Sequence, residues 1–322
     1  MTHTPSTFAP LSGSWTLTAL NSAAVPEELR SRLTVGIPAT VPGEATLDLL
    51  NAGLIDDPFD GDNETKQQWI GDVDWRFTCT FDWHDDGSDR HDLVAYGLDT
   101  IAAIALNGRP VAQTRNCHRS YRWDVRDLLV EGTNELTVSF TSPVRESDRM
   151  EQARGYYPHT EHHAFNQIRK PSYSFGWDWG IDVANAGIWR EIGIDSWNDV
   201  RLAAVRPLVD VDKDGNGILT VTVEVERAGA GRIMSPYDSH SALKPLSMNV
   251  ALAGHGITTD VDVEIPEGRN TGVAHLMVPN VKRWWPIGYG DQPLYTLHVC
   301  AGGCAQWQGK IGFRTVHVDT RA

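Results

Sequence analysis

The chain has 322 residues, 41% of them apolar and 22% charged, which suits a folded globular protein of about two domains. Its 42 acidic residues against 28 basic ones leave a formal net charge of −14, which disfavours nucleic acid and anionic membranes as partners and leaves a neutral ligand indifferent. No apolar run reaches the length of a membrane span. The opening Met1-Thr2-His3-Thr4-Pro5-Ser6 lacks the basic and apolar regions of a secretion signal, so a cytoplasmic protein is expected.

Strand signals dominate in chain order. One helix is expected over 44–52, after Pro42-Gly43 and closed by Gly53 in the left-handed conformation. Residues 73–81 then alternate at period two, with Val73, Trp75, Phe77, Cys79 and Phe81 on one face. Ile101–Leu106 runs into Asn107-Gly108, a hairpin signal, and resumes at Val111. Further strands are expected over 135–140 and 188–194. Asn116, Arg119, Tyr121 and Trp123 read as ordinary strand packing. A seam falls near Trp197-Asn198-Asp199. Beyond it a second strand series follows, over 200–211, 217–226, 248–253, 261–265, 273–278 and 294–299. Many short strands separated by turn residues predict an all-β protein built of β-sandwiches.

Four cysteines do not make a disulfide framework. Cys79 and Cys117 sit in strand-like segments as small buried hydrophobes, while Cys300 and Cys304 could face each other across a hairpin. Two groups invite a metal reading. Asp212-Lys213-Asp214-Gly215-Asn216-Gly217 supplies the first positions of an EF-hand loop, but Val223 stands where a bidentate Glu is needed and the flanks read as strands. A hairpin turn explains the same residues. His159, Glu161, His162 and His163 cluster in a loop without helical ligand spacing, so no metal and no cofactor is expected there.

The densest chemistry lies in Arg169-Lys170-Pro171-Ser172-Tyr173-Ser174-Phe175-Gly176-Trp177-Asp178-Trp179-Gly180. Indole faces stack on the apolar faces of sugar rings, and a fixed carboxylate accepts hydrogen bonds from sugar hydroxyls. A Trp-rich core turn would use the same residues. The whole frame, however, resembles the hallmark of the β-mannosidases, a branch of family 2 glycoside hydrolases. Ala39-Thr40-Val41-Pro42-Gly43, residues 48–59, Asn63-Glu64, residues 68–75, Trp284-Trp285-Pro286-Ile287-Gly288-Tyr289-Gly290 and Gly312-Phe313-Arg314-Thr315 continue the resemblance in order.

That resemblance implies a jelly-roll, galactose-binding-like sugar-binding domain over 1–197 and an immunoglobulin-like β-sandwich over 198–318. Residues 319–322 would begin a linker to a (β/α)8 barrel, which holds the family's catalytic glutamates and has no counterpart here. The chain is therefore expected to be the amino-terminal part of a retaining, exo-acting β-mannosidase that removes terminal β-D-mannose. It would contain no catalytic residue. Trp177, Asp178, Trp179, Arg169 and Lys170 would contact substrate at the pocket rim, and Trp284 and Trp285 would fill a domain interface. The expected partners are a β-mannoside and the chain's own barrel, with a homodimer also admitted. Asp178 and Asp182 are candidates for an acid pair by proximity in sequence only. Other family 2 activities (β-galactosidase, β-glucuronidase, exo-glucosaminidase), a stand-alone lectin and a structural adhesin are the competing readings.

Overall fold

A computed structural model describes residues 7–160, 162–229, 244–303 and 305–320. Strands make up 44% of it, in antiparallel sheets, and the chain forms two compact bodies. Among the described residues no helix is long and apolar enough to cross a membrane.

The first body comprises Phe8–Gly87 with His91–Asp195. Its strands are β1 (Thr7–Pro10), β2 (Ser14–Ala19), β3 (Ile37–Ala39), β4 (Trp75–Trp83), β5 (Arg90–Ala95), β6 (Ile101–Leu106), β7 (Arg109–Arg115), β8 (Tyr121–Asp124), β9 (Gly132–Phe140) and β10 (Ile192–Trp197). Six of them pair in the order β3-β2-β4-β9-β6-β7 and four in the order β1-β10-β5-β8. Leu17, Trp75, Phe77, Leu93, Ile104 and Phe140 belong to one buried cluster built from both sheets, which makes the body a β-sandwich. The alternation of 73–81 emerges as expected, with Val73, Trp75, Phe77, Cys79 and Phe81 all buried. Asn107 (φ 52°) and Gly108 (φ 72°) make the tight turn between β6 and β7, the backbone that such hairpins require.

The strand expected over 188–194 is shifted. It starts at Ile192, because the preceding stretch stitches loops together instead of joining a ladder. The Ile188 carbonyl accepts from the Gly43 N–H (2.9 Å), the Glu191 carbonyl accepts from the Tyr96 N–H (3.0 Å), and Gly187 bridges Asp99.

The helices are α1 (Glu27–Val35), α2 (Ala45–Asn51), the short α3 (Asn63–Lys66) and α4 (Trp69–Asp72), and α5 (Pro143–Arg154). Helix α2 is the expected one, with the Glu44 carboxylate capping it by accepting from Thr46 N (3.0 Å) and Leu47 N (3.2 Å). Asp48, inside α2, is 2% exposed. Its Oδ1 accepts from Thr40 N at 2.9 Å, while its buried Oδ2 has no partner. Burial raises its pKa from 3.8 to about 7; the Thr40 bond opposes this and the nearby Glu44 charge reinforces it.

In the unfolded chain Asp48 ionises near 3.8, while the folded chain keeps the proton until about 7. The stability this provides is therefore present at low pH and is lost as pH rises from about 4 to 7. Asp48→Asn is expected to flatten that dependence and to stabilise the fold at pH 8 by a few kcal/mol, since each tenfold change in proton affinity is worth about 1.4 kcal/mol. Urea midpoints at pH 5 and pH 8 measure this, and an unchanged pH 8 midpoint in the variant would rule it out.

The second body holds Ser88–Arg90 and the chain from Ser196 onward. Seven strands are described: β11 (Val200–Val211), β12 (Gly217–Arg227), β13 (Leu246–Gly254), β14 (Ile257–Ile265), β15 (Thr271–Val278), β16 (Tyr295–Ala301) and β17 (Ala305–Ile311). They form two sheets, β11-β12-β15 and β14-β13-β16-β17. Leu219, Val221 and Val223 of β12, Val250 and Leu252 of β13, and Leu297 and Val299 of β16 alternate into one core.

The turn between β11 and β12 spends Asp212 internally. Its carboxylate accepts from Asp214 N (2.9 Å), Asn216 N (2.8 Å) and Asn216 Nδ2 (3.0 Å), bonds that hold its pKa below the usual carboxylate range. This is the hairpin-turn reading of the EF-hand-like residues. Cys79 and Cys117 are buried free thiols whose pKa burial pushes up to about 11. Cys300 is free and half-buried; Cys304, and with it the expected facing pair, lies outside the described residues.

Candidate functional site

Residues 175–180 form a tight turn at the surface of the first body. Phe175 anchors it in a small buried cluster with Val144 of α5 and Ala184. Gly176 follows at φ 92°, a left-handed backbone that favours glycine, and a Cβ there would crowd the Asp182 side chain at 3.1 Å. The Gly180 N–H then donates to the Trp177 carbonyl at 3.2 Å, closing the turn. That geometry brings the two indoles together, with centroids 5.3 Å apart and planes at 55°. Trp177 is 42% exposed and Trp179 79%. Asp178 is exposed between them, and among the described residues no donor meets its carboxylate. The core-turn reading thus applies to Phe175, whereas the indoles and Asp178 face solvent. An open apolar wedge beside a free acceptor suits a polyol with one apolar face.

Two clamps hold the loop that bears this turn. At its base, Lys170 is buried, and its ammonium donates to the Asp99 carboxylate, to Asn185 O (3.0 Å) and to Asn185 Oδ1 (2.9 Å). A single side chain thereby ties the two ends of residues 171–184. All three of its donors are engaged and its side chain is shut off from solvent, so Lys170 offers nothing to a ligand; here the expectation of a substrate contact gives way to a structural ion pair. On the far side of the turn, the Asp182 N–H donates to Glu64 Oε2 (2.8 Å), Gln68 Nε2 donates to the Asp182 carbonyl, and His162 Nε2 lies 3.3 Å from Asp182 Oδ2. Asp182 is therefore part of the framework. Glu64 and Gln68 fall within the motifs that carry the resemblance but have no role assigned there, and Asp99 and Asn185 fall in none; for those two a buried lysine's need for a partner was the available signal.

Arg169 is exposed and lines a cleft with Arg115 and Arg154, a cleft that Trp177, Asp178 and Trp179 do not line. The histidines pair separately with carboxylates, His159 with Glu151 (3.2 Å) and His163 with Asp148 (3.6 Å). Glu161 lies outside the described residues. Tyr121 and Trp123 stack in β8 at 5.5 Å and 8°, with Arg119 over the Tyr121 ring and the Tyr121 hydroxyl donating to Asn116 O (2.9 Å). Those four residues pack a strand edge. In the second body Trp285, Ile287 and Tyr289 are exposed while Arg314 covers Trp284 at 4.8 Å. Asp85, Asp86 and His91 are the one grouping of potential metal ligands among the described residues, and two of the three are exposed carboxylates.

Residues 15–190 match the family described as glycosyl hydrolase 2 galactose-binding domain-like. A probable β-mannosidase of Caenorhabditis elegans is 30% identical over 98% of this chain and 35% of its own length. The β-mannosidase of Bos taurus is 31% identical over 88% of the chain and 33% of its own length. The crystal structure of a β-D-mannosidase from Dictyoglomus thermophilum superposes with a TM-score of 0.80 at 28% identity, over 98% of this chain and 37% of that one. An exo-chitosanase from Amycolatopsis orientalis, at 20% identity and a TM-score of 0.62, shares the fold. The chain spans about a third of the length of the curated relatives it matches.

Proposed function

The chain belongs to the family 2 glycoside hydrolases through their galactose-binding-like domain, and from that premise we propose that it is the substrate-facing, non-catalytic part of a retaining exo-β-mannosidase. The observation that carries this reading is the turn of Trp177, Asp178 and Trp179, exposed, clamped from two sides and left with a free carboxylate. In the whole protein the turn would stand at the rim of a barrel pocket, stacking on the terminal mannose and accepting from its hydroxyls. The nucleophile and acid/base glutamates would belong to that barrel.

On the same reading, residues 1–197 are the sugar-binding domain and 198–318 an immunoglobulin-like domain, which accords with seven antiparallel strands in two sheets. Exposed Trp285, Ile287 and Tyr289 would meet the barrel. Mannose is favoured over other family 2 sugars because the relatives of comparable identity are β-mannosidases, while the exo-chitosanase, more distant, speaks only to the fold.

The test is an assay of the purified chain on an aryl β-mannoside, with calorimetry against mannose alongside. The expected result is no turnover above a protein-free control and only weak binding, since a rim supplies part of a pocket. Turnover that survives purification to homogeneity would place an acid pair within this chain and overturn the reading. Tight mannose binding by the chain alone would favour a lectin.

A further inference from the structure

The cleft that Arg169 lines in the first body, of about 460 Å3, lies between the start of β6, the end of β7, the last turn of α5 and the loop that follows it. Arg115, Arg154 and Arg169 all line it, and no carboxylate is among its lining residues. In a chain of net charge −14, three guanidiniums drawn from separate segments around one concavity are a marked inversion of local charge.

Neighbouring groups account for only part of this charge. Arg115 donates to Glu146 at 2.9 Å, but Glu146 is shared with Arg149 (2.7 and 2.8 Å). Arg154 sits at the carbonyl end of α5, where a cation is favoured, and it reaches Gln167 O at 3.4 Å, the limit of a hydrogen bond. Among the described residues no acceptor meets the Arg169 side chain. All three arginines are exposed, and the fork of Arg169, which no described acceptor meets, is free to take a bidentate oxyanion. The rest of the lining fits an organic ligand better than a bare ion. Tyr157 presents a half-exposed ring, Met150 and Ile168 give apolar surface, and the volume falls in the range of small-molecule sites.

We propose that this cleft binds a monosaccharide-sized anion, a sugar carrying a phosphate or a carboxylate. Arg154 and Arg169 grip the oxyanion and the Tyr157 ring packs on the sugar. The proposal is independent of the mannoside reading, since it uses this cleft and none of Trp177, Asp178 or Trp179.

The experiment titrates the chain at low salt with glucose 6-phosphate, glucuronate, inorganic phosphate and neutral mannose, followed by calorimetry and amide NMR. At least one sugar anion is expected to bind, with shifts at residues lining the cleft, and to weaken several-fold at high salt. Binding of the phosphate sugar alone or the uronate alone would identify the oxyanion. The double variant Arg154→Gln/Arg169→Gln is expected to lose at least tenfold in affinity, and Arg169→Lys, which keeps charge without the fork, to lose less. Both positions are exposed, and near-UV circular dichroism verifies that the variants fold. Four results would each overturn the proposal: no anion binding, neutral mannose binding equally well, inorganic phosphate binding as tightly as the sugar phosphate, or undiminished affinity in the folded double variant.

Discussion

Lys170→Met is expected to destabilise the first body by about 3–5 kcal/mol, the cost of leaving one member of a buried ion pair uncompensated. The Asp99 carboxylate would lose its cation, and Asn185 would lose both bonds that tie it to position 170. For a body of this size each kcal/mol shifts the melting temperature by roughly 2–4 °C, so a fall of about 10 °C should be read. Asp99→Leu alone should be comparably damaging, because it strands the ammonium. The double variant Lys170→Met/Asp99→Leu is expected to recover much of the loss, since an apolar pair can replace a buried ionic one at little net cost. Amide exchange should quicken selectively over 171–184 in either single variant, because that loop loses its closure. Single variants that melt like the parent would show that the pair is not structural and would return Lys170 to consideration as a ligand contact.

How much of this was legible beforehand depended on where each interaction partner lies. The 73–81 strand could be read because its alternating residues face one apolar core and one polar surface, so period two survives in the letters. Strand β5 could not. Arg90, His91, Asp92, Leu93, Val94 and Ala95 are all buried, and a central strand opening with three polar residues has no alternation to show. Helix α5 escaped for the opposite reason: it buries only its first turn or so, Pro143, Val144, Glu146 and Ser147, leaving too narrow an apolar stripe for a helical period. Its Ser142 cap, Pro143 at the first position and Gly155 after the end were the available signals.

At the site, the turn was singled out by the resemblance of the whole frame over residues 169–180, because two indoles flanking a carboxylate would serve a Trp-rich core turn equally well. Its supports were not. Lys170 meets Asp99 across 71 positions and Asp182 meets Glu64 across 118, pairings that only the folded chain displays. Arg169 and Lys170 illustrate the limit most sharply. They are adjacent in sequence, yet one is exposed in a cleft and the other is sealed in an ion pair.

Asp178→Ala in the whole protein is expected to lower kcat/KM by roughly ten- to a few-hundredfold while leaving the melting temperature nearly unchanged. The kinetic half follows from the proposed role. A charged acceptor taken from a sugar site leaves hydroxyls unpaired at about 1.5–3 kcal/mol per bond, and each 1.36 kcal/mol is a factor of ten in rate. The stability half follows from the geometry. If Asp178 capped the turn, its carboxylate would accept from the turn's own N–H groups. Instead the turn is closed by Gly180 N to Trp177 O, and nothing among the described residues donates to Asp178. Removing it should therefore cost the fold almost nothing. Trp177→Ala should lose activity as well, though with some loss of stability, because its indole also packs against Trp179. Kinetics and melting measured on the same Asp178→Ala protein separate the two roles. A large kinetic defect with a parental melt supports the sugar contact, whereas near-normal kcat/KM with a depressed melt would make Asp178 a structural residue and sink the proposed site.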